Sequence, residues 1–525
     1  MSGHRDPWPE YCRRLNKHYR QGNLRILAGA GLSIDSGFPS WGELNRGLLR
    51  KYIEEDLGRD PKTQLIVREH LDELVGELYE TIGREAAADF VWNSSTRENF
   101  LEDLKQLLYA GRELKDLPLT QVHQQLAAMD RVAIFTTNFD PLLELARYRA
   151  QGGTAKDPDV APFRSAYAPA VGTEPEPGKV YHVHGWIDPD GICGGSFVLT
   201  ESQYFELFSR QGQRPNQILE YALTSGGALL ILGMSLADVN LRRHLYLRAR
   251  NRVSDSTEIY AVVRVHEHRL LDTYQTLHWA SRGVRLVYVD RYDTVPKILR
   301  EVKFGIPDQP DAPLPWMTQT LDWVRKHLSS EVVFSDKWQA RARQALQQFL
   351  VTLREGFAIP QEEVIHASLF GQVELQEIAT FSDSRHGFNA EEAREYAEQF
   401  RLRVAHGRSQ GVAGVAFSEA KRFEVLNDPE SANQNFTAEM REFYASRGLR
   451  NWRSLMALPI LETNDRLPVL VLTLSSNRSD PFWTRFGERQ AQYRKELELW
   501  ADLVVREILS FSGQKREKSL TMKPE

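Results

Sequence analysis

Residues 24–41 read LRILAGAGLSIDSGFPSW, and the opening of that stretch decides the fold class. An apolar run, 24–28, passes directly into Gly29-Ala30-Gly31-Leu32-Ser33. A short apolar run broken by glycines reads as a buried strand ending in a tight turn. Runs of the same kind recur at 132–136, 180–183, 228–232, 258–265 and 284–289. Helical patterns at 41–55, 141–149, 241–251 and 268–281 separate most of them. That alternation predicts crossover units and a mostly parallel sheet covered on both faces, an α/β domain. Between the first two strands, 51–128 contains LDELVGELYETIG and FLEDLKQLLYAG, with apolar residues at three and four spacing. They predict a helical insertion forming a lobe beside the sheet.

After residue 303 the chain passes Gly305, Pro307, Pro310, Pro313 and Pro315. Such a stretch neither continues a helix nor donates to a central strand, so 305–335 reads as a linker between a domain at 1–304 and another at 336–511. The second half begins with a helix at 338–353. Strand candidates follow at 364–370, 375–381, 411–417, 454–460 and 469–474, and an amphipathic helix at 486–510 closes it. The charged tail, 512–525, is expected to be disordered.

The chain has 525 residues, enough for two to four domains at about 100 to 200 residues each. Lys plus Arg number 66 against 71 for Asp plus Glu, a net charge of -5. So weak a field does not imply nucleic acid or an acidic membrane as partner. Cys12 and Cys193 are the only cysteines, too few for a disulfide framework or a four-thiolate zinc site. A reducing, cytoplasmic setting fits. The most apolar stretches, such as 228–232 and 467–474, are too short to span a bilayer, and the N-terminus lacks an apolar leader segment.

Candidate chemistry gathers at the ends of the first-domain strands, where parallel sheets place their ligand crevice. Gly29, Ala30, Gly31 and Ser33 form a turn that suits a pyrophosphate, although Ile34 stands where the usual dinucleotide fingerprint has its third glycine, and an ordinary tight turn fits equally. IFTTNFD brings Thr136, Thr137, Asn138 and Asp140 to the end of a β-branched strand, where Asn and Asp equally serve as turn and helix cap before Pro141. In VYHVHGWID, His182 and His184 lie two apart on one side of a strand, without a convincing third and fourth metal ligand. In ILGMSLADVN, Gly233 and Ser235 precede a helix start marked by Asp238, a turn able to hold a ribose or phosphate or simply a capped loop.

Taken in order, Gly-Ala-Gly-x-Ser-x-x-Ser-Gly-x-Pro, Thr-x-Asn-x-Asp, His-Gly and Gly-x-Ser resemble the sirtuin family over about residues 20–300. The resemblance implies a Rossmann-like sheet with NAD across its strand ends. It places Ala30, Gly31 and Ser33 near the pyrophosphate, Asn138 and Asp140 beside the nicotinamide ribose, and Gly233 and Ser235 on the adenosine side. His184 matches the catalytic base, which leaves His182 a structural role. Deacylating sirtuins carry four zinc-binding cysteines and an Asp-Phe-Arg after the first-motif proline. Here Ser40 and Trp41 follow Pro39, and Thr137 replaces a glutamine. These departures look instead like the sirtuin-like domains of bacterial antiviral effectors that hydrolyse NAD, with no zinc expected. Alternatives are an NAD-dependent protein ADP-ribosyltransferase or deacylase, or a non-catalytic reader of NAD or ADP-ribose.

The second half, about 336–511, resembles the GAF domain, a sensory fold with an antiparallel sheet between helices. The features are Gly411, Gly414, the strand at 454–460 and the following strand ending in Ser475-Ser476. The resemblance implies a small-molecule or protein activator at this domain and homo-oligomerisation. A freely active NAD hydrolase would exhaust its own cell, so regulation by the second half is expected.

Overall fold

The computed structural model describes residues 8–56, 61–150, 175–191, 193–194, 197–209, 214–250, 257–307, 309, 312–406, 408–426, 436–446, 452–462, 466–485 and 490–511. The chain divides into two compact units, Met1–Lys303 and Phe304–Glu525.

The first unit is built on β1 (Leu24–Ala28), β2 (Ala133–Thr136), β3 (Val180–His182), β6 (Ala228–Leu232), β7 (Glu258–Arg264) and β8 (Val284–Val289). A separate two-stranded ribbon pairs β4 (Trp186–Ile187) with β5 (Cys193–Gly194). The main sheet has the order β3-β2-β1-β6-β7-β8, and every pairing in it is parallel. The chain steps outward from β1 to β3, then crosses back to lay β6 on the other side of β1. That reversal makes the β1/β6 carboxyl ends the switch point where a doubly wound sheet opens a crevice. β1, β2, β3 and β6 are buried along their whole lengths, as a sheet covered on both faces requires. One face packs on Leu15 and Tyr19 of helix Trp8–Arg20 and on Ile298, Leu299 and Val302 of helix Val295–Phe304. The other packs on helices Arg214–Thr224, Val239–Arg250 and Arg269–Ala280.

The insertion between β1 and β2 is a lobe of helices Trp41–Asp56, Pro61–Ile82, Arg84–Ser94 and Arg97–Tyr109. Leu48, Leu49, Val75, Val91, Phe100 and Leu104 form its core. Each such side chain contributes about 1.5–3 kcal/mol by leaving water. Phe139, Leu142 and Ile187, from the strand-end loops and the ribbon, share that core, so the lobe is fixed to those loops.

The second unit holds β9 (Ile365–Glu374), β10 (Glu377–Asp383), β11 (Leu402–Arg403), β12 (Phe423–Leu426), β13 (Ser454–Leu461) and β14 (Pro468–Ser476). They form one antiparallel sheet in the order β11-β10-β9-β14-β13-β12. Helices Asp336–Gly356 and Gln490–Ser510 cover one face, and helices Ala390–Gln399 and Gly411–Glu419 share the core of the other. One expected strand is corrected here: 411–417 is the helix Gly411–Glu419. Its GVAGVAF is apolar all round because the helix is buried on nearly every side, and a short apolar run does not distinguish that state from a strand. The stretch read as a linker holds helices Met317–His327 and Ser330–Val333, whose Met317, Val324 and Val333 enter the unit's cores. The tail at 512–525 lies outside the described residues.

Candidate functional site

Three of the strand-end motifs converge at the carboxyl ends of β1, β2 and β6. The loop after β1 and the loop after β6 lie backbone against backbone. Gly29 N–H donates to Leu232 O and Gly31 N–H to Gly233 O, both at 2.9 Å. A Cβ on Gly31 would stand 2.8 Å from Gly233 O, and one on Gly233 would stand 2.8 Å from Leu32 N. Gly233 also has φ of +65°, a left-handed conformation that glycine adopts freely. These glycines are therefore required by the contact between the two loops, and two of the amides expected to face a phosphate are already engaged. Ala30 is half-buried in the short turn of helix Ala30–Leu32, and Ser235 is exposed.

Ser33 links the first motif to the second. Asn138 Nδ2 donates to Ser33 Oγ at 3.0 Å, and Ser33 Oγ donates to Asp140 Oδ2 at 2.8 Å. Asp140 Oδ1 accepts from Leu142 N at 3.1 Å, capping helix Leu142–Ala150. The Asn-x-Asp pair thus caps a helix and also fixes the asparagine amide, whose Oδ1 is buried without a hydrogen bond. Burial pushes the Asp140 carboxyl above its usual range, against the pull of Ser33 and the Leu142 amide. Thr137 is buried and joins the set through its backbone, N–H to Ala28 O at 3.0 Å.

The two histidines separate cleanly. His182 Nδ1 donates to Asn138 O at 2.8 Å, and Nε2 lies 2.7 Å from Glu144 Oε1. Burial opposes its charge, but Glu144 and the Asn138 carbonyl outweigh burial and raise its pKa. It props the Asn138 loop from behind. His184 is 1% exposed, yet neither ring nitrogen has a hydrogen-bond partner. Burial lowers its pKa, and Asp238 opposes that shift. The imidazole is therefore neutral at pH 7 and able to take a proton.

The rings around His184 are residues that motif reading missed. Trp41 lies 6.0 Å from it, centroid to centroid, and stacks on Phe139 at 5.5 Å, next to Asn138. Tyr204, from helix Glu201–Ser209, meets His184 edge-on at 5.8 Å. Trp41 was legible: Ser40 N donates to Glu43 Oε2 at 2.7 Å and Glu43 N to Ser40 Oγ at 3.3 Å, the reciprocal cap that Ser-x-x-Glu announces. The Pro39-Ser40-Trp41 departure starts a helix whose first residue delivers an indole to His184. Tyr204 carried no comparable signal.

An unmade hydrogen bond at a buried polar atom costs about 1–3 kcal/mol, and Asn138 Oδ1 and the two His184 nitrogens are among the buried side-chain atoms that carry none. Among the described residues, no group of three or more His, Cys, Asp or Glu side chains is arranged to hold a metal ion, and no helix is long and apolar enough to cross a membrane.

Several bacterial proteins are similar to this chain. NAD(+) hydrolase ThsA of Enterococcus faecium is 24% identical over 310 residues, 55% of this chain and 57% of that protein. ThsA of Cytobacillus dafuensis is 28% identical over 238 residues, 45% of this chain and 40% of that protein. Defense-associated sirtuin 2 of Bacillus subtilis is 22% identical over 310 residues, 56% of this chain and 27% of that protein. The chain thus spans between 27% and 57% of the length of these relatives. A solved type II free methionine-R-sulfoxide reductase from Thermoplasma acidophilum is 12% identical with a TM-score of 0.21, covering 33% of this chain and 96% of that one, a likeness too slight to carry an argument. Residues 132–287, the span that contains Asn138, Asp140, His184, Gly233 and Ser235, match the SIR2-like domain.

Proposed function

We propose that the first unit hydrolyses NAD to nicotinamide and ADP-ribose, and that the chain is an antiviral effector that depletes NAD in the cytoplasm. The carrying observation is the buried His184, whose ring nitrogens are unbonded, lying against Trp41, which stacks on Phe139 in the loop whose Asn138 and Asp140 bond Ser33. Similarity to proteins named NAD(+) hydrolase supports the substrate.

Breaking the bond between nicotinamide and ribose builds positive charge on the sugar, so the site must hold the ribose, orient the amide and activate an oxygen. Asn138 Oδ1 accepts from a ribose hydroxyl or from the carboxamide, because its Nδ2 is committed to Ser33. Asp140 fixes Ser33 and so holds Asn138 in one rotamer. Neutral His184 takes the proton from a ribose hydroxyl or from water, a role worth about 100 to 10,000-fold in rate. Gly29, Ala30, Gly31, Ser33, Thr137, Gly233 and Ser235 line the course of the dinucleotide.

The second unit acts as a GAF-like sensor of a small molecule or protein made during infection, and activity depends on homo-oligomer packing. The purified chain, given NAD alone and with infected-cell extract, should release nicotinamide and free ADP-ribose in at least one condition. Label retained on protein would replace hydrolysis by ADP-ribosyl transfer, and binding without nicotinamide release would make the chain a reader.

A further inference from the structure

His184 has one charged neighbour among the described residues. Asp238 Oδ2 stands 3.7 Å from His184 Nε2, just beyond hydrogen-bond length. The remaining neighbours named above are rings, Trp41 and Tyr204, and the backbone contact is Val198 N–H donating to His184 O at 3.2 Å. Asp238 is held from two sides. Its Oδ1 accepts from Leu241 N at 2.7 Å, capping helix Val239–Arg250, and its Oδ2 accepts from the Tyr204 hydroxyl at 2.9 Å. The helix N-terminus favours its negative charge. Tyr204 is 4% exposed; burial and Asp238 push its phenol well above the usual range, so it stays a donor. The carboxylate beside the histidine is thus fixed in place while the imidazole has no hydrogen-bond anchor of its own.

We infer that Asp238, steadied by Tyr204, is the positioning residue that directs Nε2–H of His184 and receives its imidazolium during turnover, leaving Nδ1 as the proton acceptor. The inference rests on the proposed NAD hydrolysis. In that reaction the bond from ribose C1′ to the nicotinamide nitrogen breaks, and its electron pair stays on nicotinamide. A water oxygen bonds to C1′, and its proton passes to His184 Nδ1 and then to solvent. The new cation would be buried among rings, where burial disfavours it, so a fixed anion on its far nitrogen is what the step requires. A movement of about 1 Å brings Nε2 into bonding range of Asp238.

Asp238→Asn separates this role from a merely structural one, because asparagine caps a helix as well as aspartate does. The full-length variant should keep its melting temperature. It should lose about 100-fold or more in kcat with KM little changed, and the acid limb of its pH profile should move to lower pH. Asp238→Glu should restore part of the rate, and Tyr204→Phe should lower it by about tenfold. In parallel, the His184 ring, labelled with 15N and assigned through His184→Gln, should carry its neutral proton on Nε2 in the wild type and lose that preference in Asp238→Asn. A kcat within about threefold of wild type overturns the inference. So does a lost rate with an unmoved acid limb and an unchanged His184 tautomer. If the wild type releases no nicotinamide under any condition, the NAD reading fails, and the tautomer alone then decides whether Asp238 directs His184.

Discussion

Two buried carboxylates, one in each unit, keep opposite company. Asp383, at the end of β10, accepts at Oδ1 from His366 Nε2 at 2.6 Å, from Arg385 N at 2.8 Å and from Arg385 Nε at 2.9 Å, and at Oδ2 from Ser368 Oγ at 2.9 Å. Burial would raise its pKa, but His366 and Arg385 outweigh burial and hold it below the usual range. Asp140 accepts from a hydroxyl and an amide, and there burial wins. The difference is compensation. At the second site opposite charges touch. At the first, the His184 ring has its nearest charged neighbour at 3.7 Å and neither ring nitrogen is hydrogen-bonded. The closed ion cluster ties β9 to β10, whereas in the first unit Asn138 Oδ1 and the His184 ring nitrogens keep their bonding capacity.

The contrast breaks most sharply if the open cluster proves dispensable. His184→Ala or Asn138→Ala should abolish nicotinamide release, by about 100 to 10,000-fold for the histidine. Both variants should stay folded: His184→Ala loses the ring's packing on Trp41 and Tyr204 but no hydrogen bond of its nitrogens, and Asn138→Ala loses the one bond from Nδ2 to Ser33 Oγ, about 0.5–1.5 kcal/mol. Asp383→Ala should do the reverse. It strands the buried His366 and the Arg385 guanidinium, and removing one partner of a buried pair costs about 3–5 kcal/mol, read as a fall in the urea midpoint of the second unit. A stable Asp383→Ala, or full nicotinamide release by His184→Ala, would erase the distinction.

A smaller loss tests the contact between the loops after β1 and β6. Gly233→Ala forces a Cβ into left-handed backbone and to 2.8 Å from Leu32 N, which costs about 1–2 kcal/mol in the dihedral alone. The expected result is lower stability with NAD turnover reduced through displacement of the Gly29–Ser33 loop. Unchanged stability in the alanine variant would show that the two loops separate without penalty.

Strand positions in the first unit were legible because a covered parallel sheet writes each strand as a continuous apolar run. Residues 24–28, 228–232 and 284–289 coincide with β1, β6 and β8. The helix at 411–419 was not, since its all-round burial mimics a strand. β11, of two residues, is too short to leave a pattern, and β12, Phe423–Leu426, is only partly buried and carries no continuous apolar run. At the site, motif spacing picked out the Asn138, Asp140 and Ser33 residues that bond one another, but spacing carries no information on pairing across the fold. Asp238 announced itself as a helix cap, and its approach to His184 depends on the β6 loop lying beside the ribbon segment, which no local window records.

His182 and His184, two residues apart, provide the finest form of the same comparison through the sign of their pH dependence. His182 has a raised pKa in the fold, so it stabilises fully below the unfolded value of 6.5 and the contribution disappears as pH rises through the folded value. His184 has a lowered pKa, so below 6.5 the unfolded chain takes up a proton that the fold refuses, and stability declines. His182→Gln should therefore cost most in mild acid and least in alkali. His184→Gln should make the chain relatively more stable in mild acid than the wild type, each by about 1.4 kcal/mol per unit of displacement. Denaturation of both variants at several pH values reads the two slopes. Slopes of the same sign would mean that His184 is as fully paired as His182, and the reason for placing the base at His184 would be gone.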